Sequence, residues 1–195
     1  MQFLKENSSR VTRLVITHIA MSIFGLVLFG VTNRMGAPTQ PGEQIQQFAS
    51  PMMLVASILS VVFYAVIVYT TMWEYGAKDK AAFDAGRKQK AWKCGFLVSV
   101  LAESFWLLLS LFSLFGFFGV SASGVGYTIL ILTHSCFTGI ETYVRILWGV
   151  EGNARFWFAF LYIFGSFLIS AVSALGYTLG TKEIRIIPKK NTEKK

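Results

Sequence analysis

An all-α polytopic membrane bundle is the fold class this sequence predicts, on three observations. The chain is 54% hydrophobic and only 14% charged, whereas a soluble domain carries about 25% charged residues. Its apolar residues gather in five runs, 11–32, 51–73, 94–120, 127–148 and 155–177, and a helix needs about 20 such residues to cross a bilayer. Most of its Lys and Arg residues lie in the segments that flank those runs, where basic residues fix orientation in a membrane. No polar stretch is long enough to form a separate soluble domain, so residues 1–195 read as one integral membrane domain. The net charge of +8 is therefore assigned to anionic lipid rather than to nucleic acid, which would need a basic face clear of the bilayer.

The first run, 11–32, exceeds the roughly 7–15 apolar residues of a signal-peptide core, and no small-x-small cleavage site follows it. It reads as an uncleaved first span, with His18 two turns inside and expected to hydrogen-bond a neighbouring helix or the interface. Pro38, Pro41 and Gly42 break the chain in the loop 33–50. The second run ends in Tyr69, Trp73 and Tyr75, an interfacial aromatic belt. Residues 74–93 follow, with Lys78, Lys80, Arg87, Lys88, Lys90 and Lys93 set against three acids. They predict a solvated juxtamembrane helix whose six cations touch anionic headgroups, or else a docking site for a partner. The third run carries Glu103, nine residues from its edge and so roughly 14 Å deep at about 1.5 Å per residue. Short breaks at 121–126 and 149–154 bracket the fourth run. The last run spaces Ser166, Ser170 and Ala174 as small-xxx-small, which lets helix backbones approach in lipid. A basic tail, 179–195, ends the chain and is expected to be disordered after Pro188.

The fourth run differs from the others in carrying charge. On one continuous helix, His134, Thr138, Glu141 and Arg145 recur at i, i+4, i+7 and i+11 and share a face. Ionised groups are costly at mid-bilayer, about 2.5–3.5 kcal/mol each, so such residues face the bundle interior and pair. Glu141 and Arg145 can pair within their helix, and Glu103 is the natural interhelical partner of His134. Glu103, His134, Thr138, Glu141 and Arg145 thus form a candidate intramembrane polar seam. Its plainer role is to fix helix packing and register, and its sharper one is to pass a proton or ion. Enzymatic function is not expected. Glu141-x-x-x-Arg145 is similar to the end of the glutamate motif of CAAX-type intramembrane proteases, but Ile140 replaces the preceding Glu and no His follows. No other catalytic motif is present. Cys94 and Cys136 lack metal-ligand spacing and lie at different depths, so no disulfide, metal or cofactor is expected.

Two segments carry a resemblance. One is YGAKDKAAFDAGRKQKAWKCGFLVSV, with Gly76, Lys78, Asp79, Gly86 and Arg87, and the other is GYTLGTKEIRIIPKK at the end of the chain. Both resemble segments of uncharacterised small polytopic membrane proteins of Gram-positive bacteria. The resemblance implies a bacterial cell membrane and carries no function.

Basic residues put the N-terminus in the cytoplasm, loop 33–50 outside and 74–93 inside. If all five runs cross, Lys and Arg divide eleven inside to seven outside; if 127–148 does not cross, they divide fifteen to three. Charge thus favours four spans, whereas the length of 127–148 and its apolar first turns favour five, which is the count adopted. Two functions follow. One is a structural or accessory membrane component, with lipid and either a membrane-protein partner or a second copy of the chain as its contacts. The other is a small transporter or channel subunit that uses the seam. Broken helices would favour transport; none is visible in the sequence, which favours the accessory role.

Overall fold

The computed structural model describes residues 2–35, 46–87, 93–116, 123–148, 157–184 and 186. The described residues form six helices and no strand: α1 (Gln2–Met35), α2 (Gln46–Asp84), α3 (Cys94–Gly116), α4 (Ser123–Thr133), α5 (Ser135–Leu147) and α6 (Trp157–Thr181). Three of them are long and apolar enough to cross a membrane, over Phe3–Arg34, Pro51–Asp84 and Phe160–Thr181, and α3 contributes the shorter apolar stretch Cys94–Leu108.

The distribution of side chains is that of a protein solvated by lipid. Large apolar residues cover the outside, among them Ile16, Ile23 and Val27 on α1, Leu59, Val62 and Phe63 on α2, Phe105 and Leu108 on α3, and Phe160, Phe164 and Phe167 on α6. Polar residues line the inside instead: His18, Ser60, Asp79, Ser99, Glu103, His134, Glu141, Ser166, Ser170 and Ser173 are all buried. In water this arrangement would forfeit the hydrophobic driving force; in a bilayer it is favourable, because polar groups must find partners within the protein.

The N-terminal end of α1, the C-terminal end of α2, the N-terminal end of α3 and the C-terminal end of α6 meet at one end of the bundle. Arg10 there donates to both carboxylate oxygens of Asp79, at 2.7 and 2.6 Å, and Tyr177 donates to Asp79 at 2.7 Å. Trp73 donates from Nε1 to the Ile184 carbonyl at 2.7 Å. The residues of 74–84 therefore do not form a solvated headgroup helix of their own. They continue α2, and Asp79 is turned inward by Arg10 and Tyr177. The backbone around Gly76 and that around Gly180 lie against the facing helix here. A Cβ on Gly76 would run into the Tyr177 carbonyl oxygen, and one on Gly180 into the Trp73 carbonyl oxygen. Only a hydrogen fits at either site.

The larger departure from the sequence reading is in 127–148, which is not one helix. α4 ends at Thr133 and α5 begins at Ser135, with His134 between them at φ −125° and ψ 33°. The reason is a set of contacts with α1 and α2, described below. α5 then runs toward the end of the bundle opposite Arg10 and Asp79: Cys136 lies against Ser57, and Gly139, one turn further on, lies against Met53.

Two helices stop in the same way. At the end of α2 the Gly86 N–H donates to Phe83 O at 2.9 Å and the Arg87 N–H to Ala82 O at 2.9 Å, with Gly86 at φ +66°. At the end of α6 the Glu183 N–H donates to Gly180 O at 3.1 Å and the Ile184 N–H to Leu179 O at 3.0 Å, with Glu183 at φ +59°. Both are Schellman caps, but the second places a side chain where glycine is favoured. Gly86→Ala is expected to lower stability by about 1 kcal/mol, and Glu183→Gly to raise it by about 0.5 kcal/mol once the exposed contact to Lys80 is lost. Thermal unfolding in one detergent, with both variants beside the parent, reads the two signs.

Candidate functional site

The site forms where the fourth apolar run breaks. In an unbroken helix the Thr133 carbonyl would accept from the Phe137 N–H. That N–H donates instead to His134 O, at 2.9 Å, which frees the Thr133 carbonyl inside the bundle. Two groups from α1 take it: His18 Nε2 at 2.9 Å and Ser22 Oγ at 2.6 Å. The exchange is reciprocal, since Ser135 Oγ donates to the Ser22 carbonyl and Cys136 Sγ to the Met21 carbonyl at 2.9 Å. From α2, Ser57 Oγ donates to the Cys136 carbonyl. The freed backbone is thereby satisfied from within, as non-helical backbone at membrane depth must be.

His18 couples this break to Glu103. Its Nδ1 lies 3.3 and 3.2 Å from the two carboxylate oxygens of Glu103 on α3 and 3.0 Å from the Tyr64 hydroxyl on α2. Tyr64 donates to Glu103 Oε1 at 2.9 Å. The imidazole stacks on Trp106, with centroids 4.6 Å apart and planes within 11°. All three polar side chains are buried. A carbonyl oxygen only accepts, so Nε2 carries a proton. Tyr64 spends its single proton on Glu103. Nδ1 thus faces both the Tyr64 hydroxyl and the Glu103 carboxyl group.

His134 lies beside this pair, its ring centroid 5.4 Å from that of His18 and nearly perpendicular to it. Thr133 Oγ1 donates to Ile129 O at 2.9 Å and so accepts from His134 Nδ1, also at 2.9 Å. His134 Nε2 is left to meet Ser166 Oγ of α6 at 3.3 Å. The expected contact between Glu103 and His134 is thus replaced. Glu103 takes His18 and Tyr64, because the break turns His134 toward α6.

The break also divides the expected single face. Thr138 and Glu141 remain on α5 and are fully buried, and Arg145 Nε stands 4.0 Å from Glu141 Oε1 with its side chain 28% exposed. His134 no longer lies in register with them. Below the centre, polar side chains continue in turns of α6 and α3. Ser99 faces Ser170 at 3.4 Å, Ser173 donates to Gly95 O at 3.4 Å, and Tyr177 then reaches Asp79. The buried serines of α6 are Ser166, Ser170 and Ser173, while Ala174 is half-buried and the close backbone approach to α2 is made by Gly176 and Gly180. Tyr64, Ser22, Ser57 and the Arg10–Asp79 pair were not singled out from the sequence. A Tyr or Ser in an apolar run carries no signal of its own there. Arg10 and Asp79 read as interfacial charges, and only their sign offered a hint.

The predicted headgroup cations separate. Lys78 is exposed, with its ammonium 5.9 Å from the centre of the Tyr75 ring. Lys80 pairs with Asp84 at 2.7 Å and approaches Glu183 at 3.7 Å. Arg87 and Lys93 are exposed at the ends of α2 and α3, and Lys88 and Lys90 lie outside the described residues. Among the described residues no group of three His, Cys, Asp or Glu could hold a metal ion. No family model, curated protein or solved structure matches the chain.

Proposed function

We propose that this chain is a multi-pass membrane protein with four crossings and a re-entrant hairpin, and that it works as a small transporter or channel subunit. In this reading α1, α2, α3 and α6 cross, and α4 and α5 dip in from the face opposite the termini. The pairing of α1, α2 and α6 at the Arg10–Asp79 end supports an even number of crossings. So does the division of basic residues, fifteen to three when 127–148 does not cross. The observation that carries the functional half is the hairpin tip: the freed Thr133 carbonyl rests on His18, and His18 Nδ1 lies 3.2 Å from Glu103 Oε2 inside the bundle. Broken helices with ionisable partners at mid-membrane are how transporters build ion and proton sites. The hairpin tip thus rests directly on the buried His18–Glu103 contact, where an ion or proton passing through the bundle would act on it. The accessory reading is favoured by a separate observation, that both the His18 and the His134 ring nitrogens all have hydrogen-bond partners.

One set of measurements separates the two. The parent and Glu103→Gln are reconstituted in liposomes holding a pH-sensitive dye, and an inside-negative potential is imposed. Gln can keep hydrogen bonds to Tyr64 and His18 but cannot ionise, so the variant is expected to fold normally and to lose proton uptake at least tenfold. If parent liposomes acidify no faster than empty ones, the accessory reading stands. For topology, single cysteines at Gln40 and Thr192 in a Cys-free background report to an impermeant thiol reagent on intact cells. Labelling at Gln40 alone fits four crossings, and labelling at both returns the count to five.

A further inference from the structure

We propose that Arg13 and Lys78, together with Tyr75 between them, form a binding site for one anionic glycerophospholipid in the leaflet that faces the chain termini. Three cations converge on the Tyr75 ring: the Arg10 guanidinium at 5.0 Å from its centre, the Arg13 guanidinium at 5.9 Å and the Lys78 ammonium at 5.9 Å. Arg10 is neutralised by Asp79. Arg13 and Lys78 are exposed, and among the described residues the contact given to each charged group is with the ring. Two exposed cations held at one ring leave positive charge there that a lipid phosphate would balance.

The depth fits a headgroup. Arg13 and Arg34 are 21 residues apart on one helix, about 31 Å at 1.5 Å per residue, which matches the roughly 30 Å hydrocarbon core. Arg13 therefore stands at the boundary where lipid phosphates begin. The surface around it is graded as a lipid is. A shallow groove on α1 carries the hydroxyls of Ser8, Ser9 and Thr12 on the terminal side of Arg13 and the exposed Ile16 on the other. The phosphate sits at the cations, the headgroup hydroxyls reach the serines and threonine, and the acyl chains run down over Ile16 toward Ile19 and Ile23, which are also exposed. Lys80 has no part in it, because Asp84 and Glu183 already balance its charge.

The test uses full-length protein exchanged into nanodiscs of phosphatidylcholine with a minor fraction of phosphatidylglycerol, then released and weighed by native mass spectrometry. The parent is expected to retain one phosphatidylglycerol in preference to phosphatidylcholine. Arg13→Gln and Lys78→Gln should each reduce that preference about fivefold, the effect of one basic residue near an anionic surface. Lys80→Gln should leave it unchanged. Equal retention of the two lipids by the parent overturns the proposal. So does an undiminished preference in the Arg13→Gln/Lys78→Gln double variant. Both positions are exposed, and an unchanged melting temperature in the double variant shows that lost lipid is not lost fold.

Discussion

Replacing Asp79 by alanine is expected to destabilise the protein by about 3 kcal/mol. Asp79 is buried and accepts two hydrogen bonds from Arg10 and one from Tyr177. Removing it leaves a guanidinium, 13% exposed, with no counter-charge, together with an orphaned hydroxyl. Breaking a buried pair from one side costs about 3–5 kcal/mol, far more than the pair is worth against an apolar replacement. The lower end applies because Arg10 lies near the interface and can reach for water. Asp79→Asn keeps an acceptor for Tyr177 and should lose about half as much. Unfolding in a graded series of denaturing detergent measures both. A loss below about 1 kcal/mol for the alanine variant would mean that these side chains do not hold the helix ends together. The consequence reaches beyond stability, since this pair and its Tyr177 bond bring α1, α2 and α6 together at one end.

Gly139→Ala should be nearly as damaging, for a steric reason. A Cβ at Gly139 would overlap the Met53 carbonyl oxygen and crowd the Ser57 side chain. The obstacle is backbone, which cannot rotate away, so α5 and α2 must separate. Overpacking of this kind costs about 1–3 kcal/mol. The separation would also pull the Cys136 carbonyl from Ser57 and loosen the tip at His134. Gly30 on α1 is the control: nothing lies near its Cβ position, so Gly30→Ala should be neutral or stabilising by up to about 1 kcal/mol. The two alanine variants differ only in what surrounds the methyl group. Equal stabilities would remove the tight α2–α5 contact from the account. If the hairpin serves transport, Gly139→Ala should also uncouple proton uptake in liposomes while Gly30→Ala retains it.

The sequence alone determined the solvent, because composition and run length are summed over many residues and no single contact changes them. A chain this apolar and this sparsely charged is stable only where lipid covers its outside. It also determined that Glu103, His134 and Glu141 would face inward, since an ionisable group on the lipid side carries its full desolvation cost. It could not determine which partner each would find. Glu103 had two histidines on other runs to choose from, and His18 took it because the helix break turns His134 toward α6, which hydropathy does not encode. The helix break was less legible still. Thr133, His134 and Ser135 include neither Pro nor Gly, and an isolated helix would pass through them. What opens it is tertiary: the Met21 and Ser22 carbonyls accept from Cys136 and Ser135, and His18 and Ser22 donate to the Thr133 carbonyl in return. The same holds for Asp79, which reads as one charge among many in a basic segment until α6 supplies Tyr177 and α1 supplies Arg10. Local sequence fixes what a residue costs to bury, and only the packed neighbours decide what offsets that cost.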